Sequence, residues 1–243
     1  VSTFVLLHGA GDVGWSWHLV VAALRALGHD AVAPDLPCED EDAALPEFAA
    51  AALEAVGGRR DPVVVGHSFG GLTAPLVADR LRPAGPVRLL YLAAMIPTPG
   101  ELPADWWERT GYERAAREQA ARDGGLTGSE DPFVSFWNGV PRPLAEEAQR
   151  RSRGQAGASS AAPWPLAAHP AVPTRVLACR EDRFFPLAFQ RRVARERLGL
   201  EVEVVPGCHC AMLSHPRELA RALVGDPGPG AQGSATSSTS DPS

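Results

Sequence analysis

The 243-residue sequence contains no lysine, so all 23 of its Lys/Arg cations are arginine. Schiff-base chemistry and a lysine general base are therefore excluded within this chain. Positive charge is also in deficit. Twenty-nine acidic residues give a formal net charge of −6, which provides no basic field of the kind that nucleic-acid binding needs. Cysteine is scarce: four in a chain of this length do not make a disulfide framework. Cys208-His209-Cys210 resembles a metal cluster locally, but no matching Cys/His pair stands elsewhere at zinc-site spacing. No metal and no other cofactor is expected. No apolar run reaches bilayer-spanning length, so no membrane partner is expected. The opening Thr3-Phe4-Val5-Leu6-Leu7 reads directly as a strand, without the charged and apolar regions of a signal peptide. A cytoplasmic location follows as an expectation, and the Ala/Arg/Pro/Gly bias points to a high-GC bacterial source.

What is present reads as globular. Hydrophobic residues make up 45% of the chain and charged residues 21%, enough for one domain with a substantial core. Short apolar stretches, expected as strands, fall at residues 4–7, 31–33, 62–65, 87–93, 174–178 and 202–205. Helical patterns fall between them, at residues 15–27, 43–56, 72–81, 187–198 and 216–224. This alternation predicts an α/β fold with a parallel, doubly wound sheet covered on both faces. Residues from about 97 to 170 break the rhythm. They hold four of the six tryptophans (Trp106, Trp107, Trp137, Trp164), many prolines and charged helical pieces, and nothing that reads as a buried strand. We expect a helical cap inserted into a domain spanning residues 1–225, serving as a lid or binding element. Residues 226–243 are rich in Gly, Pro, Ser and Thr and are expected to form a disordered tail.

The strongest chemical signal is Val63-Val64-Val65-Gly66-His67-Ser68-Phe69-Gly70-Gly71. A β-branched run enters Gly-x-Ser-x-Gly and a helical pattern leaves it, the strand–turn–helix context of a nucleophile elbow. A serine hydroxyl needs a base to take its proton and an acid to orient that base. Asp182, after the 174–178 strand, and His209, after the 202–205 strand, stand in the required order Ser, Asp, His. Glu181 is the rival acid and His215 the rival base; His215 directly precedes Pro216 and reads as a capping or surface residue. His67 flanks the nucleophile and reads as structural. An oxyanion needs two preorganised donors. The expected pair is the backbone N–H of Phe69 and that of Ala10, in the His8-Gly9-Ala10-Gly11 loop after the first strand.

With these residues in place, the sequence resembles the α/β-hydrolase superfamily. Within it, the likeness is to a small-capped group that includes plant methylesterases, hydroxynitrile lyases and many bacterial esterases. The residues that carry it are Leu6-Leu7-His8-Gly9-Ala10-Gly11, Trp15-Ser16-Trp17, Ala33-Pro34-Asp35-Leu36, the elbow, Leu92-Ala93-Ala94-Met95-Ile96-Pro97, Asp182-Arg183-Phe184-Phe185-Pro186 and His209-Cys210-Ala211-Met212. The resemblance implies about six parallel strands, with the usual first two absent. Lyases of this group carry threonine after the first-loop histidine and lysine after the catalytic histidine. Here Gly9 and Cys210 hold those positions, which favours hydrolysis. Epoxide hydrolases and dehalogenases of this fold use aspartate at the elbow, and Ser68 argues against both. The expectation is a serine esterase, a monomer or homodimer, acting on a small, largely uncharged ester. Trp15, Trp106 and Trp137 are candidate substrate-binding residues, with Trp107 and Trp164 beside them. A hydroxynitrile lyase, lactonase or thioesterase on the same triad, or a small-ligand receptor of this fold, is the alternative.

Overall fold

Six short apolar strands pair into a single all-parallel sheet in the computed structural model, which describes residues 1–225. The expected tail at 226–243 lies outside the described residues. In chain order the strands are β1 (Thr3–Leu7), β2 (Asp30–Val32), β3 (Pro62–His67), β4 (Arg88–Leu92), β5 (Thr174–Cys179) and β6 (Val202–Val205). Their spatial order is β2-β1-β3-β4-β5-β6. The principal helices are α1 (His18–Ala26), α2 (Leu45–Val56) and α3 (Gly70–Leu81). Between β4 and β5 lie α4 (Trp106–Arg109), α5 (Tyr112–Asp123), α6 (Pro132–Ser135), α7 (Arg142–Arg151) and α8 (Ala158–Ala161), and no strand. After β5 come α9 (Leu187–Leu198), α10 (Ala211–Ser214) and α11 (Pro216–Val224).

Successive strand residues point to opposite faces, and in the central strands β1, β3, β4 and β5 both faces are largely apolar and buried. Val5, Leu7, Val64 and Tyr91 join a core with α2, α3 and α9. Phe4, Leu6, Val65 and Leu92 join a second core with α1 and α11. Each fully buried Val, Leu or Phe in these layers contributes about 1.5–3 kcal/mol. That burial, rather than the short ladders, holds the parallel arrangement.

The segment between β4 and β5 is pinned at its base. Gly100 N–H donates to Trp164 O (3.3 Å) and Trp164 N–H to Glu101 O (2.8 Å). His169 Nε2–H donates to Pro97 O at 2.9 Å, and Tyr91 O–H donates to His169 Nδ1 at 3.2 Å. Glu101 and Arg197 of α9 form a bidentate pair whose side chains are only 1% and 9% exposed. Among the described residues no helix is long and apolar enough to cross a membrane.

Candidate active site

The order of the strands positions the site before any side chain is considered. From β1 the chain moves to β2 on one side and then crosses to β3 on the other. A crevice therefore opens at the carboxyl ends of β1 and β3, where ligands bind in open α/β sheets. The ends of the two strands are in register, with Leu7 opposite Gly66. His8-Gly9-Ala10 leaves one strand and Ser68 the other.

Ser68 sits at φ 51°, in the left-handed region. Such a position costs about 1–3 kcal/mol for a non-glycine residue and persists only where its surroundings enforce it. Here Ser68 N–H donates to Leu92 O (3.3 Å), and Ser68 O accepts from Gly71 N–H (3.0 Å) and Met95 N–H (2.9 Å). The turn also demands that strand and helix nearly touch: a Cβ on Gly66 would lie 2.6 Å from Gly70 O and 2.8 Å from Ala74 Cβ. Phe69 stands at the N-terminus of α3, whose dipole favours negative charge. Neither Phe69 N–H nor Ala10 N–H has a hydrogen-bond partner among the described residues. Both residues line one cavity with Ser68.

Asp182 and His209 meet across the ends of β5 and β6. Asp182 Oδ2 accepts from His209 Nδ1 at 2.9 Å, and both side chains are buried. The other carboxylate oxygen caps the next turn, accepting from Phe184 N–H and Phe185 N–H, each at 2.8 Å. Gln190 Nε2 donates to Phe185 O at 2.6 Å and to Asp182 Oδ2 at 3.4 Å. With Nδ1–H given to the carboxylate, neutral His209 keeps its lone pair on Nε2. That atom is buried without a protein partner. Ser68 Oγ and His209 Nε2 are not hydrogen-bonded in this structure; such bonds commonly tighten only with substrate in place. Phe136, Phe184 and Phe185 surround the imidazole, with ring centroids 4.9–5.4 Å away.

The rivals lie elsewhere. Glu181 turns its carboxylate to Gly207 N–H (2.6 Å). His215 pairs with Ser214 Oγ (3.1 Å). His67 donates from Nε2 to His209 O at 2.9 Å, fixing the backbone of His209. Burial, and then the nearby His209, hold its pKa well below the usual histidine value. His8 is likewise depressed by burial. Its Nδ1–H donates to Gly9 O and its Nε2 accepts from Leu36 N–H, both at 2.9 Å.

The cavity has a volume of about 390 Å³. Of the expected tryptophans it takes Trp137, together with Trp107. Trp106 requires correction: it is fully buried in the core, its N–H donating to Ile96 O at 3.0 Å. Trp15 also stands outside the cavity wall, stacked on His18 at 4.5 Å beneath Arg151. Trp164 is buried with its N–H on Leu72 O at 3.0 Å. Trp106 and Trp164 thus sit in the core with their N–H groups on carbonyls, while half-buried Trp15 lies against a cation. Phe136, Met95 and Arg153 also line the cavity, although the sequence does not mark them as pocket residues. Phe184 lay within the Asp182 motif and could have been taken from it; Arg153, in a polar loop, carried no signal. A second depression, of about 450 Å³, lies between Ser2, Asp61 and Arg88, at the amino ends of the strands, far from these groups.

The sequence matches the alpha/beta hydrolase family over residues 4–222. The chain belongs to that family. It is similar to "Probable esterase PIR7A" of Oryza sativa subsp. indica, with 39% identity over 108 residues. That match covers 40% of this chain and only 41% of the rice protein's length. It is similar to "Methylesterase 7" of Arabidopsis thaliana at 28% identity over 252 residues, covering 91% of this chain and 94% of the relative. In fold it is similar to the crystal structure of polyneuridine aldehyde esterase, with TM-score 0.74 and 20% identity over 92% of this chain and 98% of the other. Its all-parallel sheet with helices on both faces is the α/β-hydrolase architecture.

Proposed function

We propose that this chain is a serine carboxylic ester hydrolase with Ser68 as nucleophile, His209 as general base and Asp182 as the acid that orients it. The observation that carries the reading is the Asp182 Oδ2–His209 Nδ1 contact of 2.9 Å, which leaves Nε2 as the basic atom in a cavity that Ser68 also lines. His209 Nε2 takes the Ser68 proton as Oγ attacks the ester carbonyl, and the Phe69 and Ala10 N–H groups receive the oxyanion. His209 then returns the proton to the leaving alcohol, and a water deprotonated by His209 hydrolyses the acyl-enzyme. Aromatic walls from Trp107, Trp137, Phe136 and Phe184 suit a small, largely uncharged substrate. Similarity to named esterases supports ester chemistry. Cys210 lines the cavity where lyases of this group carry a cation. Burial pushes its thiol pKa upward, so it stays neutral, which favours hydrolysis over cyanide release.

Turnover of a short-chain p-nitrophenyl ester by purified protein tests this. Ser68→Ala is expected to abolish it. Asp182→Asn, which leaves His209 in the wrong tautomer, is expected to lower kcat by about 10⁴-fold. Wild-type turnover in Ser68→Ala would end the proposal.

A further inference from the structure

We propose that Arg153 and Gln155, from the segment between β4 and β5, are positioning residues that hold the oxyanion loop in register with Ser68; this rests on the esterase reading above. The peptide planes of the loop at residues 9–13 are tied one by one, partly within the loop and partly from outside it. Gly9 O accepts from His8 Nδ1–H (2.9 Å) and Asp12 N–H (3.4 Å), which directs the Ala10 N–H of the same trans peptide the opposite way. The next plane is fixed from outside the loop: Gly11 N–H donates to Gln155 Oε1 at 3.0 Å. The one after is fixed by Arg153, whose backbone N–H donates to Gly11 O at 2.7 Å. Arg153 Nη2 then donates to Asp12 O (3.2 Å) and Leu36 O (3.0 Å), joining the loop after β1 to the loop after β2.

The contact is built in on both sides. Gly11 lies at φ +60°, and a Cβ there would come within 2.6 Å of Arg153 O, so only glycine admits the approach. Gln155 is held in turn, its Nε2–H donating to Ser159 Oγ at 2.8 Å, which leaves Oε1 to accept from Gly11. Ala10, between these anchors, keeps its N–H without a partner. Gly11 N–H is committed to Gln155 and is not available to an oxyanion. The donor geometry therefore depends on a segment more than 140 residues further along the chain.

The test separates an effect on the oxyanion from general damage. Gln155→Met keeps the volume and removes the acceptor; Gly11→Ala forces the two segments apart. Both are assayed with an oxygen ester and its thiono (C=S) analogue, whose sulfur gains less from hydrogen-bond donors. Displacement of a donor by an ångström costs on the order of 10²-fold, so losing one of several ties is expected to lower kcat about tenfold for the oxygen ester. KM should change less than about twofold, because the loss falls on the transition state. The oxygen-to-thiono rate ratio should fall in step. Arg151→Ala, in the same segment but on the outer surface against Trp15 and Glu147, should leave both unchanged. Wild-type kcat in Gln155→Met, or a loss of kcat with an unaltered ratio, overturns the inference while Ser68-dependent hydrolysis stands. Absence of Ser68-dependent hydrolysis in the wild type removes the esterase reading itself.

Discussion

At Trp106 the indole N–H donates to Ile96 O and the ring packs on Phe185 and Phe189, while the next residue, Trp107, lines the cavity. Truncating them should separate stability from binding. Trp106→Ala is expected to cost about 3–5 kcal/mol of folding stability, through the cavity it leaves. Trp107→Ala should raise KM severalfold with a much smaller loss. Urea midpoints and ester kinetics on the pair check this; equal loss of stability in both would refute the assignment. The sequence does not separate the two because α4 is a single turn of four residues and offers no periodicity. Asp182 is separable from Glu181 only through the likeness of its loop position to the family motif; the structure adds the physical reason, since its carboxylate caps Phe184 N–H and Phe185 N–H. Gln155 was not legible: a glutamine in a polar loop gives no sign that its acceptor serves a glycine 144 positions away.

Among the elements, the strands were legible because each carries a short, bounded run of mainly apolar residues, interrupted only at the edges, as by Glu203 in β6. The expected bounds 202–205 and 187–198 coincide with β6 and α9. The helix expected at 72–81 starts two residues earlier, at Gly70, because the elbow imposes helical geometry on a glycine pair of poor propensity. The helix expected at 15–27 begins as the tighter turn Gly14–Trp17. Pairings between elements were hidden. Nothing in the apolar pattern of α9 shows that Arg197 reaches Glu101 at the start of the segment between β4 and β5. Both side chains are almost fully buried, so removing one strands the other's charge. Arg197→Met is expected to destabilise the fold by about 3–5 kcal/mol, and adding Glu101→Gln should restore part of that. A double-mutant cycle on urea midpoints measures it, and strict additivity would show that the pair is not coupled.

Across the whole molecule, the two histidines that brace the site also make its stability depend on pH. His8 and His67 are both buried and both held below the ordinary value of 6.5. The unfolded chain protonates them as pH falls through 6.5, whereas the folded chain does not. Below that point the unfolded state binds more protons, so stability is complete above it and is lost as pH falls towards the folded-state values. Each histidine contributes a slope of up to about 1.4 kcal/mol per pH unit in that window. The groups cannot escape the penalty by reorienting. His67 Nε2–H is held by His209 O, a proton on Nδ1 would be buried without an acceptor, and the added charge would face His209. His8 Nε2 already accepts from Leu36 N–H and would have to release it to be protonated. Urea unfolding between pH 7.5 and 5 should therefore show a midpoint that is flat at first and then falls. His67→Gln keeps a donor for His209 O but cannot titrate, so it should flatten the fall by the share of one histidine. An equally steep fall in that variant would mean that His67 is not the group being protonated.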